Sequence, residues 1–114
     1  MTDQKETIQF ADFAKLDLRI GRVMAAVIPE WSEKLIELTV DFGAEIGQKT
    51  ILAGVKEWYQ PADLINQNFI FVVNLAERKM GPGVSQGMMI AAEDEARAVL
   101  LPAPLDLPAG TPLR

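Results

Sequence analysis

Apolar and polar residues alternate with a period of two along much of the first half of this chain. Leu16, Leu18 and Ile20 alternate with Asp17 and Arg19; past Gly21 the alternation resumes on Val23, Ala25 and Val27. Strict alternation marks a strand with one buried face. A one-residue change of phase at a glycine predicts a β-bulge or sharp bend in one long strand over 16–27. With that change Arg19 and Arg22 fall on one outward face. Ile36, Leu38, Val40 and Phe42 predict a second strand, and 50–55 a third. The apolar run 69–73 lies within a predicted fourth strand over 68–75, buried on both faces. Residues 86–92 predict a fifth, and 98–101 a further short one.

The segments between follow other rules. Residues 1–9 read as a flexible arm. Phe10, Phe13 and Ala14 have i, i+3, i+4 spacing, which predicts one or two helical turns packing an apolar face. Residues 30–34 form a polar loop interrupted by Trp31. The two glycines of 43–48 mark a turn. Residues 57–66, with Pro61, predict a short helix or turn-rich connection, and Gly81-Pro82-Gly83 makes 77–84 a loop. A proline-rich tail closes the sequence. A long bent first strand, five short strands and a helical insert between the third and fourth predict an all-β fold. The pattern fits a five-stranded Greek-key barrel of the oligonucleotide/oligosaccharide-binding (OB) type, with a short N-terminal helix and a C-terminal extension.

Composition narrows the chemistry more than the fold. The 114 residues include no Cys and no His. Disulfides, thiolate nucleophiles, imidazole bases and Cys/His zinc sites are therefore excluded within one chain. Ser32 and Ser85 lack a base to activate them, and Gly81-Pro82-Gly83 lacks the Gly-Lys-Ser/Thr ending of a phosphate loop. Glu93-Asp94-Glu95 could hold a divalent cation, but adjacent acids more often form a solvated loop. No catalytic residue, metal ligand or cofactor site is assigned. The start of the chain lacks a signal-peptide pattern, and no apolar run approaches a membrane span, so a cytoplasmic protein with no membrane partner is expected.

Sixteen acidic residues outnumber eleven Lys and Arg, for a net charge of −5. Bulk charge therefore gives no general attraction to polyanions; a nucleic-acid role needs a local basic patch. Lys34 and the Arg78-Lys79 pair would flank the binding face of an OB barrel from two of its loops, while dispersed solubilising charge explains the same residues. Trp31 could stack on a base, fill a partner surface or fold back over the barrel mouth. Trp58 and Tyr59 are read as covers of one barrel end.

The residues also carry a family resemblance. Phe13-Ala14-Lys15-Leu16-Asp17-Leu18-Arg19-Ile20-Gly21, followed by Val23, resembles the opening of the tRNA-binding domain family. That family includes the C-terminal domain of bacterial methionyl-tRNA synthetases, free-standing tRNA-binding proteins and CsaA-type secretion chaperones. Lys34-Leu35, Asp41-Phe42-Gly43, Ile51-Leu52-Ala53-Gly54-Val55 and Tyr59 with Pro61 and Leu64 continue the likeness. Its most specific part is Val73-Asn74-Leu75, Arg78-Lys79-Met80 and Ser85-Gln86-Gly87-Met88. Ala53-Gly54 and Gly87-Met88 resemble the tRNA-binding branch rather than the chaperone branch. The likeness covers about 10–114.

The resemblance implies a non-catalytic, shape-selective tRNA-binding OB domain over 10–114. It further implies homodimerisation through a C-terminal segment at about 93–114. Arg19, Lys34, Lys49, Asn74, Arg78, Lys79, Ser85 and Met88 occupy the family's motif positions. The cations among them would meet phosphates; Asn74 and Ser85 would order the groove. A free-standing module is expected. A CsaA-like dimer that binds unfolded polypeptide, or a domain docking on an aminoacyl-tRNA synthetase in trans, are the alternatives. The chain departs from the pattern at Ile28, Glu30–Glu33, Ala53, Ala76-Glu77 and Gly81-Pro82. Glu30, Glu33 and Glu77 place negative charge beside the implied phosphate path, which lowers the expected affinity and its salt dependence.

Overall fold

The computed structural model describes residues 3–114; residues 1 and 2 of the arm expected over 1–9 lie outside the described residues. Residues 3–9 are exposed and have no regular secondary structure. The fold is a nearly closed five-stranded antiparallel barrel. Its strands are β1 (Leu18–Val27), β2 (Ile36–Asp41), β3 (Gln48–Ala53), β4 (Asn68–Val72) and, after two strands described below, β7 (Met88–Met89). They run in the order β3-β2-β1-β4-β7. Among the described residues are three four-residue helices: α1 (Phe10–Phe13) precedes β1, α2 (Gly43–Ile46) joins β2 to β3, and α3 (Pro61–Leu64) joins β3 to β4. α3 sits between β3 and β4, as the insert in the sequence predicts. Among the described residues no helix is long and apolar enough to cross a membrane.

The long first strand organises the barrel. Its N-terminal half, Leu18 to Arg22, pairs with β4; its C-terminal half, Arg22 to Val27, pairs with β2. The alternating residues Ile36, Leu38 and Val40 of β2 are fully buried, with Val23, Ile51 and Phe71 against them. Phe42 and Phe71 meet edge to face, ring centres 5.3 Å apart, a favoured aromatic geometry.

The bulge in β1 is not at Gly21. The register with β2 slips between Val23 and Ala25, so the buried residues are Val23 and Ala26 rather than Val23, Ala25 and Val27. Gly21 keeps its phase because the core needs the space. A methyl group there would lie 2.5 Å from Val40 Cγ1, 2.6 Å from Phe42 Cε1 and 2.8 Å from Phe71 Cδ1. With no bulge between them, Arg19 and Arg22 point to opposite faces, which corrects their expected common face.

Two more expectations change. Residues 77–84 are not a loop. β5 (Arg78–Met80) and β6 (Gly83–Ser85) form a hairpin joined by Gly81 and Pro82. Gly81 has φ +60°, and a glycine at the first central position suits a two-residue hairpin turn. The single strand expected over 86–92 is two. β7 pairs with β4, whereas β8 (Ala91–Glu93) leaves the barrel to pair with β9 (Ala98–Leu100). The apolar face of α1 is also left uncovered: Phe10 is 80% exposed.

β3 and β7 share no ladder, and the seam between them is closed by Ser85 and Gln86, which precede β7, through two side-chain bonds and one backbone bond. The Ser85 Oγ accepts the Leu52 N–H at 3.0 Å, and the Gln86 Oε1 accepts the Thr50 N–H at 2.8 Å. The Gln86 N–H in turn donates to the Thr50 carbonyl at 2.8 Å. The C-terminal tail wraps back over β1 and ends in β10 (Pro112–Leu113), paired with Arg19 and Leu18.

Candidate nucleic-acid interface

The β5–β6 hairpin presents Arg78 and Lys79 as neighbours on one strand, both exposed. Successive strand residues point to opposite faces, so the two cations project from both sides of the ribbon. Its base is anchored where Ser85, opposite Arg78, enters the seam; its buried hydroxyl accepts from Leu52 N–H and donates to the Gly87 carbonyl at 3.0 Å. Its tip is held by Trp31 from the β1–β2 loop. A methyl at Gly83 would lie 2.7 Å from Trp31 Cζ2, and one at Gly81 3.0 Å from Cε3 and Cζ3. The six-membered ring of the indole thus lies against both glycines. The indole folds back onto the hairpin rather than over the barrel mouth as one of its three expected roles had it, and the residue stays 39% exposed.

The same loop carries Lys34. The Ser32 Oγ accepts the N–H groups of Lys34 and Leu35, each at 3.2 Å, which turns the chain into β2. The Lys34 carbonyl accepts the Lys56 N–H, at 3.2 Å. Lys34 is exposed. Trp31 therefore brings the loop of Lys34 into contact with the ribbon of Arg78 and Lys79. Neither ion pair found among the described residues involves these three cations. Glu30 and Glu33 are exposed on the same loop. Glu77, at the foot of the hairpin, accepts a hydrogen bond from Gln86 Nε2 at 3.3 Å.

Arg19, Lys49 and Asn74 differ from these three in having partners within the protein. They assemble around Asp17 and Val73. The Arg19 Nε donates to Asp17 Oδ1 at 2.6 Å and its Nη1 to the Gly110 carbonyl at 3.1 Å. The bond to Asp17 holds the Arg19 guanidinium above its usual pKa. Asn74 accepts the Asp17 N–H through Oδ1 and donates to the Lys15 carbonyl through Nδ2, at 2.9 and 2.7 Å. It splints the segment entering β1 onto the end of β4. The Lys49 Nζ donates to the Val73 carbonyl at 3.1 Å. All three side chains are thus engaged within the protein.

Met88, half exposed on β7, lines a shallow apolar cavity of about 210 Å³ beside Leu52, Gly54 and Leu100. Tyr59 reaches the core and its hydroxyl accepts the Leu100 N–H at 3.0 Å, in keeping with a cover over the barrel end; Trp58 stays partly exposed. The acidic run 93–95 passes from the end of β8 at Glu93 into a turn, in which Asp94 Oδ1 accepts the N–H groups of Ala96 and Arg97 at 2.8 and 3.0 Å. These bonds hold its carboxyl below the ordinary range. The sequence did not mark Trp31 as a contact of Gly81 and Gly83, although an unplaced indole and a Gly-x-Gly turn were both visible in it.

Residues 18–112 match the family model described as "Putative tRNA binding domain". Over 108 residues the chain is 43% identical to the methionine–tRNA ligase of Deinococcus radiodurans; the match covers 94% of the chain but only 16% of that enzyme. The methionyl-tRNA-synthetase-related protein of Pyrococcus horikoshii is similar in structure, with a TM-score of 0.90 and 36% identity, covering 96% of this chain and all of that one. The chaperone CsaA of Bacillus anthracis has a TM-score of 0.86 and 35% identity, over 96% of this chain and all of that one.

Proposed function

The chain belongs to this tRNA-binding domain family, whose domain is a binding rather than a catalytic one, and we propose that it binds tRNA by shape, as a homodimer. The carrying observation is the pair of segments that Trp31 joins, with Lys34, Arg78 and Lys79 exposed on them and unengaged by acidic side chains. A guanidinium and two ammonium groups suit phosphate oxygens, and phosphate contacts position a nucleic acid without reading its bases. Ser85 orders the ribbon from beneath. Arg19, Lys49 and Asn74 brace the scaffold, and Met88 offers an apolar contact beside the groove.

The homodimer reading rests on the apolar surface that α1 leaves open. Phe10, Phe13 and Leu16 are exposed, and they line a common cavity with Pro112 and Leu113 of the tail. A second copy would cover that surface, using part of the 93–114 segment that the resemblance implies. Two modest basic grooves on one particle gain from avidity, which offsets an acidic surface.

A second reading, binding of unfolded polypeptide, is favoured by the likeness to a chaperone and by the apolar cavity at Met88. Docking on a synthetase is the remaining alternative, and a tRNA ligand would place the protein in the cytoplasm.

The test is a titration of bulk tRNA at two salt concentrations, on a sample whose mass is fixed by light scattering. Binding that weakens steeply with salt is expected. No binding at low salt and micromolar protein sinks the tRNA reading; a monomer that binds sinks only the dimer. Suppressed aggregation of a denatured client, with no competition from tRNA, would favour the second reading.

A further inference from the structure

Trp31 lies in the β1–β2 loop, yet what it touches is the turn of the hairpin that carries Arg78 and Lys79. The ring leaves no room for a methyl group at Gly83 and would crowd one at Gly81. Leu52 Cδ1 also borders the position, 3.1 Å from the methyl that Gly83 lacks. The hairpin strands are only three residues each and pair with one another, not with the barrel sheet. An isolated two-stranded ribbon is marginally stable by itself. Ser85 fixes its base and Trp31 its tip.

From this geometry we propose that Trp31 is a positioning residue for ligand binding: a clip that holds the ribbon ordered before a phosphate backbone arrives. The proposal rests on the tRNA reading above and adds to it the residue that sets the pose of Arg78 and Lys79. Without the clip, both long side chains and the ribbon must be ordered at the moment of binding, which weakens association. The clip depends on the space that glycine leaves at 83, on the φ of +60° at Gly81 that turns the hairpin, and on an aromatic ring at 31.

The test compares tRNA binding by wild type, W31A, G83A and R78A/K79A, each checked for folding by circular dichroism and thermal melting. W31A should bind about tenfold more weakly, reflecting two side chains and a ribbon ordered on binding. G83A, which keeps the indole but pushes it off the turn, should weaken binding in the same direction. In a W58F background Trp31 is the sole indole. Its emission should move to the red in G83A, and should respond to tRNA in the parent but not in R78A/K79A. If R78A/K79A loses binding while folded W31A or ring-displaced G83A binds as wild type, the clip is wrong and the tRNA reading stands. If R78A/K79A also binds as wild type, the interface itself is misplaced.

Discussion

Arg22 Nε donates to Asn68 Oδ1 across the β1–β4 pair at 2.9 Å, and this polar pair ties the C-terminal tail to the barrel. Asn68 is fully buried, and its Nδ2 donates to the carbonyls of Pro104 and Leu107 at 3.0 and 3.1 Å. Arg22 Nη2 reaches the Leu105 carbonyl at 2.8 Å. The tail has little regular structure to satisfy its own carbonyls, so these two side chains do it instead. Removing one partner of a buried hydrogen bond strands the other. N68A should therefore cost about 2–3 kcal/mol, through two stranded carbonyls and the lost Arg22 bond. Urea unfolding measures it, and a loss below about 0.5 kcal/mol, the range of ordinary surface changes, would show that the tail is held by something else.

Gly21 faces the ring edges of Phe42 and Phe71. G21A should overpack the core and cost about 1–3 kcal/mol. The circular-dichroism signal of the barrel should survive while the melting temperature falls. An unchanged melting temperature would mean the two rings give way freely.

The two groups of cations should behave differently in binding experiments. R78A/K79A removes two proposed phosphate contacts and should flatten the dependence of log affinity on log salt by about one to two units. K49A removes an ammonium that bonds the Val73 carbonyl; it should lower stability and leave the salt slope unchanged. The opposite assignment, with K49A changing the slope and R78A/K79A not, would place the groove around Val73 instead.

Asp94 should give the 94–97 turn a pH dependence. Its carboxyl is held below the ordinary value of 3.8, first by the Ala96 and Arg97 N–H groups. A depressed folded pKa contributes stability that is complete above the unfolded value and lost as pH falls through the folded one. The turn should stay ordered at neutral pH and loosen only in acid below about pH 3.8. An NMR titration of Asp94 with a midpoint above 3.8 contradicts this.

The barrel was legible where burial is one-sided. Ile36, Leu38 and Val40 alternate in sequence and are buried in the structure, with Glu37, Thr39 and Asp41 between them less so. At Gly21 the sequence was misleading. A glycine within a strand marks either a bulge or a close approach, and the pattern alone does not say which; the rings of Phe42 and Phe71, distant in sequence, decide it. The hairpin is hidden in the sequence because three-residue strands are too short to alternate, and its support comes from tertiary contacts of Trp31 and Ser85. The motif positions were legible as a set. Their division into cations facing outward and cations bracing the scaffold depends on Asp17, Val73 and Gly110, whose proximity only the fold reveals.

The side-chain seam between β3 and β7 has a consequence for how copies of this protein avoid one another. An unpaired strand edge is a template on which a foreign strand can grow into an aggregate. On β3 the Thr50 and Leu52 N–H groups would be that template, and Gln86 and Ser85 already occupy them. Two borrowed side chains cap the edge as an added strand would, without lengthening the sheet. Replacing both, as S85A/Q86A, should make a stored solution turn thioflavin-positive sooner than wild type at equal concentration. Equal lag times would mean that the edge is protected by other means.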